Sequence, residues 1–317
     1  MFPLLLTLIC DADDVYPNSI SRSVLNAQDT LQREIKALIQ LFDDPAPEIR
    51  DTVTKRLVQM GEAVVPQLDR FMADTKDEAL KKEAEAVIRS VTFDSLQEEV
   101  AELAAQGVHT MEELEDAVFL FSRFKNPTLR IRPYRELLDA LAQEASVPLR
   151  RADTAESRML AFTHFIFEQN GYKGCSSKFL HPEHSYMHEV LRKRQGIPLS
   201  LAFVMLFVAE RLKLPFYGMN MPLHFLVKFI TPANESIIID PFNQGSILTK
   251  EQCDLFLKNS RIRIFPQYYE TASPYSMLTR FIRNLINGHM EAGEPELSKQ
   301  LQHLLLLVES ANTDRAK

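Results

Sequence analysis

Apolar residues return every three or four positions through most of this chain, so helices dominate the expected structure. In residues 30–92 the helices come in pairs. Residues 37–44 lead through Pro45 and Pro47 into 48–57, and residues 66–74 lead into 78–88. Asp43 and Asp74 are 31 residues apart, as are Leu57 and Ile88, so one helical hairpin is used twice. Such a hairpin cannot bury its apolar face alone and must stack on a neighbour. From 95 to 167 apolar positions fall at Leu114, Ala117, Val118 and Phe121, then Leu137, Leu138 and Leu141, then Leu160, Phe162, Phe165 and Ile166. Pro127 and Pro133 are expected to break the run, and Asp153-Thr154 to cap its last helix.

A short helix is expected over 185–195, closed by Gly196. Pro198 suits the first turn of the next helix, where its missing N–H needs no partner. That helix, 198–212, is apolar on nearly every face, the mark of a buried central element. The alphabet then changes. Residues 216–219, 225–230 and 236–239 are short runs rich in aromatic and β-branched side chains, separated by Pro222 and by 232–235, and read as a small antiparallel sheet. The last stretch, 274–309, is helical again, with Leu301, Leu304, Leu305 and Val308 on one face.

Composition narrows the functional classes. The 317 residues are 45% hydrophobic and 25% charged, an ordinary globular balance with room for two or three domains. A net charge of −7 argues against a nucleic-acid partner, which needs a basic face. Arg192-Lys193-Arg194 is too short to alter that and reads as a solvated helix end. Nine glycines and no Trp argue against a glycine-rich phosphate loop or propeller blades. Three scattered cysteines, Cys10, Cys175 and Cys253, form neither a disulfide ladder nor a Cys-x-x-Cys pair, so the expected setting is reducing and cytoplasmic. The apolar first ten residues lack a basic start and run into Asp11, Asp13 and Asp14, so they read as a frayed or docked segment and not a signal. No stretch reaches membrane-spanning length, and no membrane partner is expected.

Candidate chemistry gathers in three places: Gly196-Ile-Pro-Leu-Ser-Leu-Ala202 at a helix start, His224 on a strand, and Asp240 at the end of the next. A thiol-type site needs a nucleophile at a helix N-terminus, an imidazole base and a carboxylate to orient it. Neighbouring antiparallel strands can bring His224 and Asp240 together, with Nδ1 expected to meet the carboxylate. Ser200 is the only hydroxyl in the first turn, but two residues along a helix turn it about 200° from Pro198. Cys175 is a second substitute nucleophile, in the loop before the core. Against both stand plain structural roles. His181, His184 and His188 have ligand-like spacing that Cys175 would complete for zinc. A polar loop more often leaves such residues solvated, so no metal and no cofactor are expected.

The run 194–202, then Leu214-Pro215, then Gly218-Met-Asn-Met-Pro-Leu-His-Phe-Leu-Val-Lys228, then Ile239-Asp-Pro-Phe-Asn-Gln-Gly245 resembles the second transglutaminase-core family, bacterial proteins related to an invasion-regulator B1-type protein. Phe119–Pro127, Leu138-Asp139 and Gly171-Tyr-Lys-Gly174 extend the likeness over about residues 95–260. The resemblance implies a papain-type fold in which His224 and Asp240 match the family's histidine and aspartate. The Gly-x-Cys of active transglutaminases falls on Gly196-Ile197-Pro198, so the nucleophile position holds an inert Pro198. The chain departs from the subfamily at Leu223, where Gly is usual, and at Cys175 and His184, where Asn is usual. The paired helices of 30–92 resemble HEAT-type repeats.

The expected architecture is α+β and mainly helical: an N-terminal segment (1–28), HEAT-like helices (29–93), a transglutaminase-like domain with a helical first half and a small antiparallel sheet (94–260), and a helical tail (261–317). The implied function is a degenerate, non-catalytic module that binds a protein or peptide in the former catalytic cleft. The alternative is a hydrolase or acyltransferase on peptide or amide substrates, using His224 and Asp240 with Ser200, Cys175 or an activated water.

Overall fold

The computed structural model describes residues 30–175 and 181–315; the expectation for residues 1–28 lies outside them. The described residues form two compact units, 30–91 and 92–315.

The first unit contains helices α1 (30–40), α2 (Pro47–Gln59), α3 (Val65–Asp74) and the first turns of α4 (Glu78–Gln106). Pro47 and Pro66 sit in first turns, where a proline costs no intrahelical hydrogen bond. The repeat positions Leu57 and Ile88 both lie in this unit's core, beside Phe42, Val53 and Leu68. Helix α4 runs unbroken through residue 93, where the sequence reading placed a boundary.

The second unit holds the rest of α4, then α5 (Met111–Lys125), α6 (Arg132–Leu149) and α7 (Ala155–His164), which continues into a π-helical turn over Phe165–Gln169. Thr110 and Thr154 open α5 and α7 with capping boxes that reach Glu113 and Ser157. The break expected at Pro127 and Pro133 falls between α5 and α6, and Pro133 sits in the first turn of α6, where a proline is tolerated. A two-residue parallel pair, β1 (Lys173–Gly174) with β2 (Gln195–Gly196), brackets the short helix α8 (Met187–Lys193). Helix α9 (Pro198–Arg211) follows, and every residue from Pro198 to Ala209 is buried. Its uniform apolarity is thereby explained.

Four antiparallel strands lie in chain order: β3 (Phe216–Met219), β4 (Leu226–Ile230), β5 (Ser236–Asp240) and β6 (Ser246–Leu248). The sheet is covered on both faces. Val227, Phe229 and Ile239 join the large core around α9, while Leu226 and Ile238 pack with Cys253 and Leu257 of α10 (Lys250–Asn259). A strand buried on both faces has no polar side, hence the run Ile237-Ile238-Ile239. Helices α11 (Pro274–Glu291) and α12 (Pro295–Arg315) are expected as a tail. They pack on each other, and α11 packs on α5 within the same unit. The chain is mainly helical α+β with a small four-stranded sheet.

Candidate functional site

His224 stands two residues before β4 and Asp240 closes β5. The register pairs Val227 with Ile239 and so sets Asp240 across from Leu226. The imidazole must therefore reach along the strand, and it meets the carboxylate with its distal nitrogen. Nε2 donates to Asp240 Oδ1 at 2.9 Å, and not Nδ1 as the sequence reading expected. An ionised carboxylate only accepts, so this bond places the proton on Nε2 and leaves Nδ1 of the neutral ring as the acceptor.

Asp240 is well held. Its Oδ1 also accepts from the N–H groups of Phe242 (3.0 Å) and Asn243 (3.3 Å), and its Oδ2 accepts from Asn243 Nδ2 at 2.7 Å. Burial alone raises this carboxyl. The hydrogen bond and charge of His224, with the bonds from Asn243, outweigh it and hold the group below the usual carboxylate range. The His224 side chain keeps 17% of its surface accessible while Asp240 keeps 5%, so the imidazole is the more accessible of the two.

Two aromatic rings flank the imidazole. Phe242 meets it edge-on and Phe256 of α10 is tilted against it, each with centroids 6.1 Å away. Phe242 also lies against Gly174 of β1. Gly174 is in register with Gly196, and a Cβ on Gly174 would fall 2.7 Å from the Phe242 ring. Only glycine lets the ring lie there. Strand β1 and the imidazole thus share one aromatic neighbour.

The residues the sequence offers as nucleophiles are engaged or buried. Pro198 is the first residue of α9 and offers neither thiol nor hydroxyl. Ser200 is fully buried; its Oγ accepts from the Ile197 N–H at 3.0 Å and donates to the His184 carbonyl at 2.7 Å. It locks the start of the helix, and Gly196 is required beside it, since a Cβ there would fall 2.4 Å from that Oγ. Cys175 is buried, its N–H bonded to the Gly196 carbonyl at 3.1 Å, and burial pushes its thiol up, away from the reactive thiolate. The three histidines with ligand-like spacing meet different neighbours. His181 and His184 lie ring to ring at 6.0 Å, while His188 is buried against Tyr134 and Tyr186. Among the described residues no three His, Cys, Asp or Glu side chains gather to hold a metal ion.

The turn that carries His224 has its own chemistry. The His224 N–H donates to the Met221 carbonyl at 3.2 Å, with Pro222 second and Leu223 third at φ 61°. A turn with positive φ at its third residue favours glycine there. Leucine carries a cost of about 1–2 kcal/mol and leaves its side chain 68% exposed beside the imidazole. Arg280 of α11 reaches this turn from 56 residues away, donating to the carbonyls of Met221 (2.8 Å) and His224 (2.9 Å) and to Asn220 Oδ1. Sequence reasoning missed Phe256 and Arg280. The Thr249-x-x-Gln252 capping box and the buried Cys253 and Leu257 mark α10 and its inner face, but no local pattern points Phe256 or Arg280 at residue 224.

The site lies within a stretch that is similar to known proteins. A model of the transglutaminase-like superfamily matches residues 132–283. A UPF0162 protein of Xylella fastidiosa is 29% identical over 179 residues, 54% of this chain and 63% of the relative, so the match spans under two thirds of that protein's length. Protein SirB1 of Salmonella typhimurium is 25% identical over 187 residues, 58% of this chain and 68% of its own. F-box only protein 21 of Mus musculus is 28% identical over 134 residues, 40% of this chain but 21% of its own. No solved structure matches. With a helix tip, a histidine before one strand and an aspartate closing the next, all within the matched residues, this chain carries a transglutaminase-like domain of the kind found in the bacterial UPF0162 and SirB1 proteins.

Proposed function

We propose that this is a degenerate transglutaminase-like domain that binds a protein or peptide in its former catalytic cleft without covalent chemistry. The observation that carries the reading is Pro198 at the first position of α9, in the place of the thiol. Ser200 and Cys175, the residues the sequence offers in place of that thiol, are engaged or buried. The mouse relative supports a module, since the matched stretch makes up only 21% of that protein. The paired helices of 30–91 are read as HEAT-like scaffold. A cytoplasmic setting belongs to the same reading, supported by Cys175 and Cys253 as free thiols. Among the described residues no helix is long and apolar enough to cross a membrane.

A second reading, a hydrolase or acyltransferase, is favoured by one observation: the 2.9 Å contact of His224 with Asp240 is intact. Activity probes separate the two. The native protein is expected to resist cysteine- and serine-directed reagents at any site that depends on His224. On this reading residue 198 faces the imidazole, so a Pro198→Cys variant is expected to gain rapid alkylation by iodoacetamide, lost again on His224→Ala, since a thiol at a helix start paired with an imidazole ionises readily. Labelling of the native protein that disappears in His224→Ala overturns the binding reading in favour of the enzyme.

A further inference from the structure

Arg280 directs its hydrogen bonds to one turn, residues 221–224, and to the residue just before it. Nη1 donates to the Met221 carbonyl at 2.8 Å and to Asn220 Oδ1, and Nη2 donates to the His224 carbonyl at 2.9 Å. Its guanidinium carbon lies 5.6 Å from the Phe225 ring centroid. Every one of these partners is neutral, and among the described residues Arg280 makes no ion pair with a carboxylate. Desolvation pushes the guanidinium down to about 10, so the side chain is held at some cost to itself.

What it holds is strained. Leu223 sits at φ 61°, a conformation that leucine leaves readily and glycine does not need to leave. Were Leu223 to relax, the peptide joining it to His224 would rotate, and the imidazole would swing with its Cα. The Met221 and His224 carbonyls are the two ends of this turn, and one rigid guanidinium spans both. A planar fork fixes two acceptors at once, which a lysine ammonium cannot do with the same geometry.

We propose that Arg280 is a positioning residue: by bridging the two carbonyls it holds the strained 221–224 turn and so aims the His224 imidazole at Asp240. Its functional weight rests on the reading of the His224–Asp240 cleft as the ligand site, while its geometry is testable without a ligand. The full chain is labelled with ¹⁵N-histidine, and the His224 signals are assigned by comparison with His224→Gln. In the native protein NMR is expected to show one tautomer with a hydrogen-bonded Nε2–H. Arg280→Gln is expected to lose that proton signal and mix the two tautomers. Adding Leu223→Gly to Arg280→Gln is expected to restore both features, since glycine removes the strain the arginine opposes. An unchanged Nε2–H and tautomer in folded Arg280→Gln overturns the proposal, and so does a double variant that stays disordered at His224. Should Arg280→Gln fail to fold by circular dichroism, Arg280→Lys is read instead, with the same loss expected and an unchanged signal again decisive against it. None of these outcomes depends on whether Pro198→Cys becomes reactive, so the two readings fail separately.

Discussion

His188 is an imidazole that burial has stripped of its usual chemistry. Its ring lies against Tyr134 and Tyr186, and its Nδ1 has no hydrogen-bond partner among the described residues. Burial pushes it down to about 4; Glu189, 3.8 Å away, opposes this, while Lys125, Arg192 and Lys193 add to it. The folded value lies below the unfolded one, near 6.5, so the unfolded chain binds the proton first as pH falls. The stabilisation is full above about pH 6.5 and drains away toward pH 4, amounting to roughly 3 kcal/mol at most. Urea unfolding at pH 7 and pH 4.5 is expected to show native protein losing about 2 kcal/mol more than His188→Phe over that interval. Equal losses in the two proteins would remove His188 as the cause. The spacing of the three histidines hinted at a metal, and burial of one of them is what no spacing reveals.

At the scale of elements, the start of α9 shows how far local pattern carries. Pro198 and the apolar run to Ala209 mark a buried helix, and Thr110, Thr154 and Thr249 mark others through their capping boxes. Leu114, Leu138, Phe162 and Leu301 are buried as their periodicity requires, whereas Leu137 and Leu160, counted in the same stripes, are exposed. A stripe gives a face, and only the neighbouring helix decides how wide that face is. Strand β6 escaped notice because three residues carry too little alternation. The hydroxyl of Ser200 joins the helix start to the His184 carbonyl. Ser200→Ala leaves buried backbone groups short of a partner, and is expected to cost about 1–2 kcal/mol in chemical denaturation without altering probe labelling. Loss of a serine-directed label in that variant would instead make Ser200 a nucleophile.

On the scale of the whole molecule, each compact unit has its own core. Leu57 and Ile88 anchor the first, and the second is built around α9, the sheet and α11. Truncating a buried leucine removes its contacts and leaves a cavity, so Leu57→Ala is expected to cost about 2–5 kcal/mol. Hydrogen exchange followed by mass spectrometry is expected to show the loss over 30–91, with amides of α9 and β4 keeping their protection. Uniform loss across the chain would mean that the two cores melt as one. The 31-residue repeat made the first core legible in advance. The docking of α11 against α5 was not, because an amphipathic helix does not name its partner.

The sequence alone determined the order of elements, the mainly helical balance and the identity of the groups at positions 198, 224 and 240. Caps, periodicity and covalent chemistry are local properties, written within a turn or two of chain. Only the tertiary structure decided that Nε2 faces Asp240, that Phe242 and Phe256 flank the ring, that Ser200 and Cys175 are engaged or buried, and that Arg280 grips the turn before β4. Each depends on contacts between residues far apart in sequence. Such contacts follow from how cores pack and which surfaces lose water, and no local pattern encodes that.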